Sequence, residues 1–222
     1  MLLPMTLAAN LMARGKDPLR GKNIGVIGDS YVKNHREPVS LTWHYKFARK
    51  HHMNYYNYGR NGNCLTIDLK RWGTGVYHRY RDMRPDLDYI IVIGGHNDAE
   101  RLSEGADTLI TIERFRQNLD TLCQGLISRY PTAQIVFFGP WTTDHFQGSN
   151  RQQVVDAMRD VCGQNGIPFF DSARYGGIRP QSDDFRREYF QNQGRHDHAH
   201  LNARGHDRFL KTAEEFLLRY VK

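Results

Sequence analysis

"DYIIVIGG", residues 88–95, is the stretch on which the fold turns. Its apolar residues follow one another without alternation and end on two glycines. A strand with one wet face alternates apolar and polar positions, whereas a continuous run suits a parallel strand covered on both faces. "QIVFFGP" (134–140) has the same character, and "NIGVIGDS" (23–30), "MNYYNYG" (53–59) and "IPFFDS" (167–172) complete five runs that read as buried strands. Helical patterns separate them: "SLTWHYKFARKHH" (40–52), "TIERFRQNLDTLCQGLISRY" (111–130) and "SNRQQVVDAMRDVCGQNG" (149–166), the last closing on Gly166 as a helix stop. In the final segment, Phe209, Leu210, Ala213, Phe216, Leu217 and Tyr220 recur at helical spacing. Strands alternating with helices predict an α/β fold in three layers, α/β/α, with a five-stranded parallel sheet flanked by helices on both faces.

A chain of 222 residues, 39% hydrophobic and 25% charged, supports one sizeable core, so 22–222 is read as a single domain. Residues 1–21, "MLLPMTLAANLMARGKDPLRG", form an N-terminal arm or the remnant of an export leader that lacks its positive first region. No apolar run is long enough for a membrane span. The compartment stays open, with the cytoplasm favoured over export. Cys64, Cys123 and Cys162 are odd in number and widely spaced, which fits neither a disulfide framework nor a zinc pattern. Three buried thiols are the simpler reading, and one bridge plus a free thiol is the other. A net charge of +7 would suit nucleic acid, but the cations are scattered among acids as in "RLSEGADTLITIERFR" (101–116), which is a basic solvated surface. Oligomeric state is not legible.

In a doubly wound sheet the functional crevice lies at the carboxyl ends of the strands, and there the polar oddities fall. Ser30 ends the first run, Gly62 follows the second and "GGHND" (94–98) ends the third. "DHAHLN" (197–202) sits just before the last helix. Should 197–200 form a helical turn, Asp197 and His200 share one side and can touch. A carboxylate on one imidazole nitrogen fixes the tautomer and stabilises the imidazolium, and a serine needs such a base to become nucleophilic. Backbone N–H groups of Ser30 and Gly62 and the Asn97 amide could face a developing oxyanion. Judged singly, each has a plainer reading: Ser30 or Asp29 as a helix cap, Gly62 as a turn glycine, Asn97 as a cap, and Asp197 and His200 as surface residues. Asp29 reads as a turn-holding neighbour and Asp98 as a structural hydrogen-bonding residue.

Taken in order, "GDS" (28–30), "GRNG" (59–62), "GGHND" (94–98) and "DHAHLN" (197–202), continued by "HLNARGH" (200–206), resemble the four blocks of the SGNH, or GDSL-type, hydrolase family over nearly the whole chain. The resemblance implies a flavodoxin-like fold and a serine esterase that works through an acyl-serine. It implies Ser30 as nucleophile, His200 as general base and acid, Asp197 orienting His200, and Ser30, Gly62 and Asn97 as oxyanion donors, with no metal or organic cofactor. His96 before Asn97, and Asn61 where serine is frequent, depart from the pattern without removing a catalytic atom. There is no G-x-S-x-G elbow around Ser30.

Polar connections and the lack of a long apolar lid favour a small acyl group on a polar scaffold, such as an acetylated carbohydrate. Trp141, Tyr175 and Tyr189 are candidates for stacking on sugar or for loop packing, and the polar connection 174–200 is long enough to carry function. Two rivals remain. One is an inactive glycan-binding module on the same fold. The other is a metal site at His196, His198 and His200, which share one face if that segment is extended.

Overall fold

The computed structural model describes residues 17–104, 111–141 and 149–221. Five strands, β1 (Asn23–Gly28), β2 (Asn54–Gly59), β3 (Tyr89–Ile93), β4 (Gln134–Phe138) and β5 (Phe169–Phe170), form one sheet in the order β2-β1-β3-β4-β5, every neighbouring pair parallel. Among the described residues the helices longer than a single turn are α1 (Trp43–Lys50), α2 (His96–Glu104), α3 (Ile112–Arg129), α4 (Ser149–Gln164), α5 (Asp183–Tyr189) and α6 (Ala203–Leu217).

Successive strand residues point to opposite faces, and along β1, β3 and β4 both faces are dry. Ile27, Ile90, Val92, Ile135 and Phe137 pack with Phe115, Leu119 and Leu122 of α3 and Val154, Met158 and Val161 of α4. Val26, Ile91, Ile93, Val136, Phe138 and Phe170 pack with Trp43 and Phe47 of α1 and Phe209, Ala213 and Phe216 of α6. Two covered faces explain why β3 and β4 carry no alternation. The strand ends meet closely: a Cβ on Gly28 would lie 1.9 Å from the Ile93 carbonyl oxygen, so only glycine lets β1 leave the sheet there.

Two of the five runs depart from the sequence reading. β2 is an edge strand whose residues are all at least partly exposed; its tyrosines carry hydroxyls that tolerate water. β5 shrinks to two residues because Pro168 has no N–H to give a ladder and Asp171 then caps a helical turn. The connection 174–200 is not irregular throughout, since it contains α5, whose start Ser182 caps by accepting from the Phe185 N–H.

Side-chain caps also start α3 and α6: Thr111 accepts from Arg114 N–H at 3.2 Å and Asn202 from Gly205 N–H at 3.0 Å, each cap typically contributing about 1 kcal/mol. Of the segment 1–21, residues 1–16 lie outside the described residues. Leu19 is buried in the core, and His51 holds Asp17 at 2.9 Å on one nitrogen and Glu214 at 2.8 Å on the other. Cys64, Cys123 and Cys162 are buried free thiols. Among the described residues no helix is long and apolar enough to cross a membrane.

Candidate active site

The sheet order reverses between β1 and β3, and both strands open their carboxyl ends onto the crevice this creates. From β1 the chain passes Gly28 to Asp29, whose Oδ1 accepts the Tyr31 N–H at 2.8 Å and caps a single turn, Ser30–Lys33. The two polar residues that end the first run thereby separate in role. Asp29 is 1% exposed and faces inward, while the Ser30 hydroxyl is turned towards the last connection of the chain. Burial, partly offset by the Tyr31 N–H and reinforced by the charge of Asp98, raises the Asp29 carboxyl to about 7.

His200 arrives from 170 residues away, with Nε2 at 2.8 Å from Ser30 Oγ. Its Nδ1 lies 2.9 and 3.0 Å from the two carboxylate oxygens of Asp197. A carboxylate only accepts, so Nδ1 carries the proton and Nε2 is left as the acceptor for the serine O–H. The contact between residues 197 and 200 does not come from a helical turn. Asp197 Oδ1 accepts the backbone N–H groups of Ala199 (3.1 Å) and His200 (2.9 Å), a side-chain-closed turn. Burial would raise the Asp197 carboxyl, but the His200 hydrogen bond and charge and these two N–H groups outweigh it and hold it below the usual carboxylate value. The segment is pinned further by Trp141 Nε1 donating to Ala199 O at 2.7 Å and Gln191 N–H donating to His200 O at 2.9 Å.

The second and third blocks are locked together. Asp98 accepts from Leu65 N–H (2.9 Å), Thr66 N–H (3.0 Å) and Thr66 Oγ (2.8 Å), a structural role. Asn97 Nδ2 donates to Asn63 O at 2.8 Å, with Asp29 Oδ2 at 3.4 Å. Gly62 has φ +69°, and a Cβ there would enter the Trp72 ring at 2.3 Å. Among the described residues the N–H groups of Ser30 and Gly62 meet no protein acceptor. Gly62→Ala is expected to lower stability by about 2 kcal/mol or more, from left-handed strain plus displacement of Trp72; urea melts measure it.

Arg79 supports this corner and was not singled out by sequence. It donates to Asn63 Oδ1 through Nε (3.0 Å) and Nη2 (2.8 Å), to Tyr58 O (3.1 Å) and to Gly28 O (3.2 Å), joining the ends of β1 and β2 to the loop bearing Gly62. Burial, with the charge of Arg60, lowers it to about 10, so it stays charged at neutral pH.

A model of the GDSL-like lipase/acylhydrolase family matches residues 26–208, a span that contains the Ser30, Asp197 and His200 cluster. The chain belongs to this family. Solved structures similar to this GDSL-like chain include a protein from Lactobacillus plantarum, with 21% identity, TM-score 0.72, and 89% of this chain and 97% of that one covered. The lipase/acylhydrolase from Enterococcus faecalis has 20% identity and TM-score 0.63 over 90% and 97%. TesA has 16% identity and TM-score 0.65 over 88% and 98%. At these identities the likeness is one of fold. No curated protein matches the chain.

Other candidates within this GDSL-like chain fall apart or move. His196, His198 and His200 are not gathered: among the described residues the ligand atoms that cluster, all within 4.8 Å, belong to His35, Asp197 and His200. The His35 and His200 rings are stacked 7° from parallel at 4.1 Å, so their in-plane lone pairs do not converge on one ion. Trp141 is 1% exposed and stacked on Tyr31 at 3.8 Å, which removes it as a sugar platform. Tyr189 and the exposed Tyr175 line clefts of about 480 and about 530 Å³ that include none of Ser30, Asp197 and His200.

Proposed function

We propose that this GDSL-family hydrolase cleaves a carboxylic ester through an acyl-Ser30 intermediate. The observation that carries the reading is the continuous chain Ser30 Oγ–His200 Nε2, His200 Nδ1–Asp197. Ser30 attacks the carbonyl carbon as His200 Nε2 takes its proton, and the imidazolium is stabilised by Asp197. The tetrahedral oxyanion is met by the N–H groups of Ser30 and Gly62 and by the Asn97 amide. The Asn97 contact to Asp29 at 3.4 Å is longer than a good hydrogen bond, so that hydrogen is the one to redirect. His200 then gives its proton to the leaving alkoxide, the alcohol departs, and water activated by the same nitrogen releases the acid. No step calls for a metal or organic cofactor.

For the substrate we favour a small acyl group, acetyl foremost, on a polar scaffold such as a carbohydrate. Polar residues in the turns that follow β1 and β2 support this: His35 and Asn61 are partly exposed, and Arg36 and Arg60 are exposed. A panel of C2 to C12 p-nitrophenyl esters alongside acetylated sugars, with Ser30→Ala as control, tests both halves. Turnover greatest on long chains would overturn the substrate; turnover unaffected by the control would overturn the mechanism. Asn97→Ala is expected to lower kcat by roughly 10²–10³-fold with KM little changed, and a loss confined to KM would remove Asn97 from the oxyanion site.

A further inference from the structure

Two successive non-glycine residues, Asn34 (φ 67°) and His35 (φ 48°), occupy the left-handed region, which persists only where surrounding contacts enforce it. Buried Asn34 donates through Nδ2 to Pro38 O at 2.8 Å, accepts at Oδ1 from Gln191 Nε2 at 3.2 Å, and meets His206 Nε2 there at 3.0 Å. Gln191 also donates to Leu201 O at 3.2 Å and, from its backbone, to His200 O at 2.9 Å. Asn61 Nδ2 donates to His35 O at 3.3 Å. The bend is therefore stitched to the segment carrying His200 and to the loop carrying Gly62.

What the bend delivers is the His35 ring onto the face of His200, centroids 4.1 Å apart and 7° from parallel. Tyr31 meets His200 edge-on at 6.0 Å. Both nitrogens are held within the ring plane by Asp197 and Ser30, so the freedom left to His200 is displacement out of that plane, and His35 blocks it on one face. Burial first, then the charge of His200, lowers the His35 pKa, so His35 is neutral at neutral pH. The charged and titratable groups facing the pair are Asp197 on the His200 segment, Ser30 and Tyr31 from the turn after β1, Arg36 and Glu37 beyond His35, and His206 from α6.

We propose that His35 is a positioning residue: its ring keeps His200 in the plane that aims Nε2 at Ser30. This rests on the reading of His200 as the general base.

Three variants test it. His35→Ala removes the platform and is expected to lower kcat about tenfold or more with KM little changed. His35→Phe, flat and uncharged, is expected to restore most of that loss. His35→Arg stacks through its planar guanidinium but is permanently charged. A cation on the ring disfavours protonated His200, so the acid limb of kcat moves down by roughly one pH unit. Ring-proton NMR titration of His200 reads the same shift without turnover. Full kcat in His35→Ala, or an unmoved His200 midpoint in His35→Arg, overturns the positioning role. An absence of Ser30-dependent ester hydrolysis overturns the base assignment instead. Should His35→Ala fail to fold, the Phe and Arg variants decide alone.

Discussion

Ser30→Ala is expected to reduce ester hydrolysis by roughly 10⁴–10⁶-fold, leaving only what binding and the oxyanion donors supply. The size follows from what the substitution removes and what it spares. Oγ is the atom that meets His200 Nε2, so its loss removes the bond-forming atom and leaves the base with no hydroxyl to deprotonate. The backbone N–H of residue 30 survives, as does the capping bond from Tyr31 N–H to Asp29, so the turn and the strand end should hold. Melting temperature is expected to change little, which separates a chemical defect from a folding one. The measurement is kcat on p-nitrophenyl acetate beside a thermal melt. Activity within tenfold of wild type in a folded variant would place the nucleophile elsewhere.

That such a prediction can be drawn from sequence at all has a physical reason. β3 and β4 are buried on both faces, and that environment admits little but aliphatic and aromatic residues, so the sheet writes itself into the chain as uninterrupted runs. Polar residues at the ends of such runs stand out against them, and Ser30 and Asn97 were legible for that reason. Asp197 and His200 were legible because they lie close in sequence, although the turn that joins them is closed by the Asp197 side chain and not by a helix. Arg79, His35 and Gln191 were not legible. Arg79 binds main-chain carbonyls of residues 28 and 58, and a carbonyl has no residue identity to read. His35 meets His200 only because the bend at Asn34 brings residues 165 positions apart into a stack. Trp141 was legible only as a choice: a tryptophan after a strand end reads equally as sugar platform or as packing, and its contact with Tyr31 and Ala199 O decides for packing.

Asp197→Asn is the sharper test of the reading, because it leaves the shape of the site almost intact. Asp197 Oδ1 accepts three hydrogen bonds: from Ala199 N–H, from His200 N–H and from His200 Nδ1. The amide oxygen of the variant can keep the two backbone bonds and with them the turn. Its NH₂ group then occupies the position of Oδ2, opposite Nδ1, and a donor there favours the tautomer with the proton on Nε2. That proton points at Ser30 Oγ, so the base arrives already protonated, and kcat is expected to fall by about 10⁴-fold with KM nearly unchanged. Stability provides a second reading with a defined sign. The folded Asp197 carboxyl lies below its unfolded value, so its contribution is fully present above about pH 4 and is lost as pH falls through the folded pKa. The variant should therefore melt below the wild type at pH 7, and the two melting curves should converge as the acid limit is approached. A melting gap that stays constant from neutral to acid pH would mean that the Asp197 charge contributes nothing to the fold. Unchanged kcat would mean that the carboxylate does not set the tautomer of His200.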